Sequence, residues 1–388
     1  MNLYDPIVQS FKVTYNYKLY FTNHLFSTDN ELFNSILESY KPQELTKVLF
    51  VLDSNVNKLH PELEKQIKAY CEYYTNNIKH TELIVVPGGE QSKNDSILVD
   101  DILRGIDKNK ICRHSFVVVI GGGAVIDMVG YAAAIAHRGV KLIRIPTTVL
   151  SQNDAAVGVK NSVNLLNKKN FLGTFATPYA IINDSIFLDT LQERDWVSGI
   201  AEAIKVALVR DKVFFKFIQD NAEVLYKRDK ETMQYLIYKC AKLHMEHIAQ
   251  GGDPFESGSS RPLDFGHWAA HKLEYMTNYQ LRHGEAVAIG MAIDLTYAYL
   301  INLIDFNTLE SILKVIENVG FNLDLPITSE NELQKLLGGI EEFREHLGGQ
   351  LTITLISKIG TKNDVHYIDM NKMQQAIKML PTLLKENN

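Results

Sequence analysis

Hydrophobic positions follow two regimes along the chain. Up to about residue 190, short apolar runs of strand length alternate with helical stretches; from about residue 195 the spacing is helical almost throughout. Residues 11–21, FKVTYNYKLYF, alternate with period two, putting Val13, Tyr15, Tyr17, Leu19 and Phe21 on one side, and predict one or two half-buried antiparallel strands. Residues 47–53, KVLFVLD, form a continuous apolar run, as expected of a parallel strand covered on both faces. Residues 61–80 read as helix, and 83–93 as a strand running into a tight turn. Residues 116–134 are a strand, three glycines and a helix of small residues; strands at 142–148 and 180–184 follow. Strands alternating with helices predict an α/β sheet domain. Residues 196–209 and 214–250 are helical, 286–304 is the longest apolar stretch, and 348–357 with 365–369 predict a terminal strand pair before a last helix. Asp294 and Asn302 interrupt 286–304 and no basic anchors flank it, so it predicts a buried core helix, not a membrane span. The expected division is 1–190, an α/β Rossmann-like domain, and 191–388, a mainly helical domain.

Composition narrows the class. The 388 residues are 46% hydrophobic and 22% charged, ample for a globular core. A net charge of −6 argues against a nucleic-acid partner. Three scattered cysteines, Cys71, Cys112 and Cys240, and a start without a basic, then apolar, leader predict a cytoplasmic protein without disulfides.

Candidate chemistry sits where strands end. Asp53 closes one strand, where an acid can hold a ribose or simply cap the next helix; alone, the cap is favoured. Gly88-Gly89 makes a tight turn before Glu90 and Lys93. Gly121, Gly122 and Gly123 precede a helix bearing Asp127, a pattern for a dinucleotide or phosphate loop, although not the usual GxGxxG. Thr147 and Thr148 could offer hydroxyls to a cofactor. The loop-like 151–178 carries Asp154, Lys160, Lys169 and Asn170, which suit an anionic substrate. Glu202 and Lys205 share a face of an apolar helix, so they must pair or bind something. His267 and His271 are four apart, and His283 follows. Two histidines and an earlier carboxylate would make a three-ligand site with an open position, the make-up of a catalytic zinc centre; an i,i+4 histidine pair alone can equally be ordinary helix surface.

Together PGGEQSK, GGGAVID, HRG, PTT, GIAEAIK, FGHWAAH and HGEA resemble the dehydroquinate-synthase-like sugar phosphate cyclases, from about residue 47 to 360. The resemblance implies an NAD-binding domain followed by a helical, metal-binding domain, in a homodimer. It implies Glu202, His267 and His283 as ligands of zinc, with cobalt as the alternative. It implies Asp53, Glu90, Lys93, Gly121, Gly122, Gly123, Asp127, Thr147, Thr148 and Lys169 as NAD contacts. Arg138, Lys160, Lys169, Asn170 and Arg261 fall on substrate or phosphate positions, Arg138 reaching the neighbouring subunit's site. Asp154, Lys160, Lys205, Asp264 and His271 fall on catalytic or substrate-site positions. The implied reaction is transient oxidation by NAD, β-elimination of phosphate, re-reduction and intramolecular aldol closure.

Within the family, dehydroquinate synthases hold a substrate carboxylate with basic residues and carry an asparagine before FGH; here it is Asp264. The expected lysine aligns with Met245 through a one-residue insertion, an expected arginine with Ser260 or Arg261, and a lysine pair with Arg344 and Glu345. An acid and an apolar residue suit a neutral polyol terminus better than a carboxylate. The pattern resembles the branch converting sedoheptulose 7-phosphate to a C7 cyclitol, 2-epi-5-epi-valiolone above all. The alternatives are 3-dehydroquinate synthase, the cyclases making desmethyl-4-deoxygadusol or 2-epi-valiolone, a metal- and NAD-dependent polyol dehydrogenase, and a binding protein without catalysis.

Overall fold

A computed structural model describes residues 4, 6–166, 168–255, 258 and 262–386. The sheet strands are β1 (Lys18–Thr22), β2 (Thr46–Asp53), β3 (Ile78–Val86), β4 (Phe116–Gly121) and β5 (Lys141–Pro146), then, after a hairpin of β6 (Lys160–Leu165) and β7 (Lys168–Phe175), β8 (Ala180–Asp184). Between them run α1 (Leu32–Tyr40), α2 (Ser54–Leu59), α3 (Leu63–Tyr73), α4 (Ser96–Lys108) and α5 (Gly123–Ile135). The six strands are parallel in the order β1-β8-β5-β4-β2-β3. Alternate residues of each central strand enter different cores. Val48, Phe50 and Leu52 join one and Leu49 and Val51 the other, which is why the run at 47–53 is apolar without a break.

The second half is a helical cluster: α6 (Glu193–Arg210), α7 (Lys212–Asp220), α8 (Ala222–Tyr226), α9 (Lys230–Gln250), α10 (His267–Met276), α11 (His283–Leu300), α12 (Phe306–Asn318), α13 (Glu330–His346) and α14 (Met370–Glu386), with a small antiparallel pair, β9 (Ile353–Lys358) and β10 (Thr361–Val365). Helix α11 is buried around nearly its whole circumference, as its mostly apolar sequence requires. No helix among the described residues is long and apolar enough to cross a membrane.

Four expectations change. Of 11–21 only the residues from Lys18 on are strand, as β1, and it pairs parallel with β8; period two marks a strand's faces but not its partner. The helix expected over 61–80 stops at Tyr73, and β3 starts at Ile78 after the turn-forming Asn76-Asn77. The segment 151–178 is not a loop: a π-helical turn, Ser151–Ala155, leads into the β6–β7 hairpin, whose mostly exposed outer strand has no apolar face to betray it. The last strand lies at Thr361–Val365, earlier than 365–369, because β10 turns back on β9 within a few residues.

Candidate active site

From β2 the chain moves outward to β3 and then crosses back to β4 on the other side of β2, so a crevice opens at the carboxyl ends of β2 and β4, where open α/β sheets bind ligands. Asp53 ends β2. Its carboxylate accepts the Asn55 N–H at 2.8 Å and so caps α2, and burial raises its pKa despite backbone donors that include Gly122. Both readings of Asp53 therefore coexist: it is a cap, and it lines the crevice. A side chain at Gly88 would collide with its carboxylate. Helix α5 starts from Gly122 with no side-chain cap, leaving its first N–H groups to an incoming acceptor. The Thr147 N–H donates to the Gly121 carbonyl at 3.0 Å. The Thr148 hydroxyl is used locally, pairing with Ser151 at 2.8 Å to start the π-turn. Glu90 accepts from Asn164 at 3.2 Å. Lys93 is buried; it donates to Asp127 at 2.7 Å, to the Ser162 hydroxyl at 3.0 Å, and to the Asn170 amide oxygen. One ammonium thus ties α5 to both strands of the hairpin.

Across the crevice, two close backbone approaches assemble a second cluster. Gly284 packs against the backbone of Ser198, seating α11 on α6, and Gly290 packs against the carbonyl of Gly266, seating it on the start of α10. Gly266 has φ 79°, a conformation side chains disfavour. Asp294 of α11 pins this turn, accepting the Gly266 N–H at 3.0 Å and the Trp268 indole N–H at 2.8 Å. Burial pushes its carboxyl up to about 7.

Glu202, His267 and His283 each present a ligand atom within 4.8 Å of the others. Glu202 Oε1 lies 3.6 Å from His283 Nε2 and 3.9 Å from His267 Nε2. Each imidazole is held by its other nitrogen: His267 Nδ1 faces the Phe265 carbonyl at 3.2 Å, and His283 Nδ1 the Glu274 carboxylate at 3.3 Å. Both Nε2 lone pairs are thereby left for the centre. Glu202 is fully buried and its Oε1 has no hydrogen-bond donor; Oε2 is in ion-pair contact with Lys205 without regular hydrogen-bond geometry. A buried carboxylate oxygen without a donor, facing two imidazole nitrogens, fits a divalent cation.

Burial and Lys205 push His267 well down. Burial opposes protonation of His283, but Glu274 and Glu202 outweigh it and raise it to about 9. Burial and Lys169 lower His271 to about 3, with Glu274 and Asp264 pulling the other way. Burial would raise Glu274, but His283 and Lys169 hold it below the usual carboxylate range. Lys169 reaches Glu274 at 3.0 Å, so this lysine is engaged with the orienter of a histidine.

At the other end Asp154 meets His244 of α9, Oδ1 to Nδ1 3.1 Å, off the linear hydrogen-bond direction and so chiefly electrostatic. Burial would raise the Asp154 pKa; His244, Lys205 and His283 hold it low. His244 is thus an α9 residue that reaches Asp154. His244 was not singled out from the sequence; Met245, on which the expected lysine aligns, is its neighbour on α9. Asp264, on the single turn Pro262–Asp264, acts electrostatically on Lys205, His247 and His271. Lys160 lies on β6. Arg138 is exposed at φ 61°, and no hydrogen bond or ion pair among the described residues ties it to the cluster. Arg344 is turned to Glu341 and the Gly349 carbonyl of its own helix end. Arg261 and Ser260 lie outside the described residues.

Sequence reasoning missed Glu274, His244 and Asp294. Glu274 lies seven residues after His267 and three after His271, a helical face that was readable; His244 and Asp294 carry no local signal.

The 3-dehydroquinate synthase N-terminal family model matches residues 83–198, and the 3-dehydroquinate synthase C-terminal model residues 199–341. A 3-dehydroquinate synthase of Shewanella frigidimarina (strain NCIMB 400) is 31% identical over 370 residues, 93% of this chain and 96% of its own. Among solved structures, a 2-epi-5-epi-valiolone synthase from Streptomyces hygroscopicus subsp. jinggangensis 5008, with NAD+ and Zn2+ bound, superposes with a TM-score of 0.85 at 25% identity, covering 97% of this chain and 99% of that one. A 2-deoxy-scyllo-inosose synthase complexed with carbaglucose-6-phosphate, NAD+ and Co2+ shares the fold, with a TM-score of 0.75 at 22% identity over 92% and 95% of the two chains. From the crevice at β2 and β4 to the ligand cluster on α6, α10 and α11, the chain belongs to the 3-dehydroquinate synthase family.

Proposed function

We propose that the chain is an NAD- and metal-dependent sugar phosphate cyclase that converts sedoheptulose 7-phosphate to 2-epi-5-epi-valiolone and phosphate. It would work in the cytoplasm as a homodimer, with the 1–190 and 191–388 portions as its two domains. The observation that carries the reading is Asp264 acting on the same Lys205 as Asp154, so that the end of the site beside the ligand cluster is lined by carboxylates. A substrate carboxylate about 4 Å from one of them would be repelled by roughly 4 kcal/mol at an effective dielectric near 20. A polyol terminus instead donates hydroxyl hydrogens to both. The valiolone synthase among the structural neighbours supports this choice.

Glu202, His267 and His283 would hold the metal ion, and Asp53, Glu90, Lys93, Gly121–Gly123, Asp127, Thr147, Thr148 and Lys169 the dinucleotide. NAD+ supplies a hydride acceptor regenerated within the turnover, and the metal ion a Lewis acid for the hydroxyl being oxidised. Lys160 and Asn170, with Arg138 of a second copy, bind phosphate. His271, neutral near pH 7, exchanges a proton beside the leaving group. Asp264 and Asp154 orient hydroxyls at the far end, and Lys205 keeps the charge of Glu202 and Asp154 in balance. Holding one substrate through several intermediates demands such preorganisation.

A second reading, 3-dehydroquinate synthase, is favoured by the names of the curated relatives. Phosphate release is the test, with catalytic NAD+ and zinc, on sedoheptulose 7-phosphate and on the carboxylated substrate of dehydroquinate synthases in parallel, with NMR of the product. Release only from the heptulose, without net NADH, is expected. Release only from the carboxylated sugar would establish the second reading. NADH accumulating on simple polyols, with no phosphate released, would make it a dehydrogenase.

A further inference from the structure

Arg144 lies on β5, inside the run that ends in the two threonines, and its side chain is completely buried. No carboxylate among the described residues comes within ion-pair distance of it. Its guanidinium is instead turned on the chain between the π-turn and the hairpin. Nη1 donates to the carbonyls of Ala156 at 2.8 Å and Gly158 at 2.6 Å; Nη2 donates to the Asn161 amide oxygen at 2.7 Å and, more weakly, to the Lys160 carbonyl at 3.4 Å. The carbonyls between these are met from elsewhere: Val157 by the Tyr17 hydroxyl at 3.1 Å and Val159 by the Ala176 N–H at 2.9 Å. Every carbonyl from 156 to 160 therefore has a donor, three of them on one guanidinium. Gly130 of α5 leaves the room, since a side chain there would collide with the Asn161 amide.

A wholly buried cation hydrogen-bonded only to carbonyl and amide oxygens, with Asp127 favouring its charge from beyond ion-pair distance, is costly, so something must require it. Asp154 precedes the clamped segment and Lys160 ends it. We infer that Arg144 is a positioning residue that fixes the separation of Asp154 and Lys160, and so matches the hydroxyl end of the site to the phosphate end. The planar fork of a guanidinium can satisfy several carbonyls at once, whereas an ammonium on a thinner stem cannot keep that geometry. The inference rests on the proposed roles of Asp154 and Lys160 in facing substrate.

The test uses Arg144→Lys and Arg144→Gly in the full-length, zinc-loaded protein, with inorganic phosphate and NAD+ as separate probes by calorimetry, and amide hydrogen exchange as a readout independent of substrate. Phosphate affinity is expected to fall roughly 10- to 100-fold, the scale of a misplaced binding group, while NAD+ affinity changes less than about twofold. Exchange should speed up in 156–166 and not in β4 or α5. Millimolar guanidinium should restore phosphate binding to Arg144→Gly and do nothing for the wild type. Arg144→Lys carries the test if the glycine variant does not fold. Unchanged phosphate affinity and exchange, or parallel loss of NAD+, phosphate and sheet protection, would overturn the inference. A wild type that binds no phosphate would instead defeat the assigned role of Lys160, and local exchange would still decide whether Arg144 holds the segment.

Discussion

His283 must lose a proton before its Nε2 can bind a metal ion, and its surroundings resist that loss. Held between Glu274 and Glu202, it titrates near 9 in the metal-free protein. At pH 7 about one ring in a hundred is then neutral, so zinc competes with a proton at a cost of about 2.7 kcal/mol. A histidine at its ordinary 6.5 would cost less than about a factor of two. Apparent zinc affinity should therefore rise roughly 50-fold between pH 7 and pH 9 and level off above, with one proton released per ion. His267 adds no slope in this range, because burial already keeps it neutral. The measurement is competition against a chelating fluorophore of known pH dependence, on protein stripped of metal. Folding stability follows the opposite sign. The folded pKa lies above the unfolded one, so the metal-free protein gains stability from His283 below about 6.5 and loses it as pH rises through about 9, at most about 3.4 kcal/mol. Zinc affinity that rises less than about threefold over this interval would refute the assignment of a charged, metal-competing His283.

Other outcomes follow from the same geometry. Glu202→Ala should abolish metal retention and turnover together, read by elemental analysis and phosphate release; a metal-replete, active variant would remove Glu202 from the ligand set. Glu274→Gln should weaken metal binding about 10- to 100-fold, as loss of a ligand's orienting partner does, and flatten the pH slope because the carboxylate that charges His283 is gone. Asp264→Asn should lower kcat/KM for sedoheptulose 7-phosphate, and unchanged kinetics would take Asp264 out of the specificity argument. Asp294→Asn offers one acceptor to two buried donors, so stability should drop by about 1–3 kcal/mol in thermal or urea unfolding. Its carboxyl is raised to about 7, so the wild type should also lose stability between about pH 4 and pH 7 in a way the variant does not.

The layout of the α/β half was readable where burial on both faces leaves an unbroken apolar run, as at 47–53 and 116–121. The hairpin was not, because its strands at Lys160–Leu165 and Lys168–Phe175 cover one side of a crevice and need no apolar pattern. The ligand cluster was legible in part: His267 and His271 share a helix face, but pairing His267 with Glu202 and His283 depended on resemblance, since α6, α10 and α11 meet only through long-range packing. His244 escaped because its partner Asp154 lies ninety residues away and nothing local to α9 marks the contact. Asp294 looked like a flaw in an apolar helix; it is the acceptor that the Gly266 turn and Trp268 require.

The Lys169–Glu274 contact links the hairpin side of the crevice to the ligand cluster. Lys169 belongs to the hairpin beside Asn170, and Glu274 holds the ring of a metal-facing histidine. A phosphate that draws Lys169 toward itself loosens its hold on Glu274, and with it the charge balance at His283. Reciprocity then applies: by whatever factor a bound metal ion changes the affinity for phosphate, bound phosphate changes the affinity for the metal ion by the same factor. Under the proposed reaction, phosphate release and metal retention would then report one coupling.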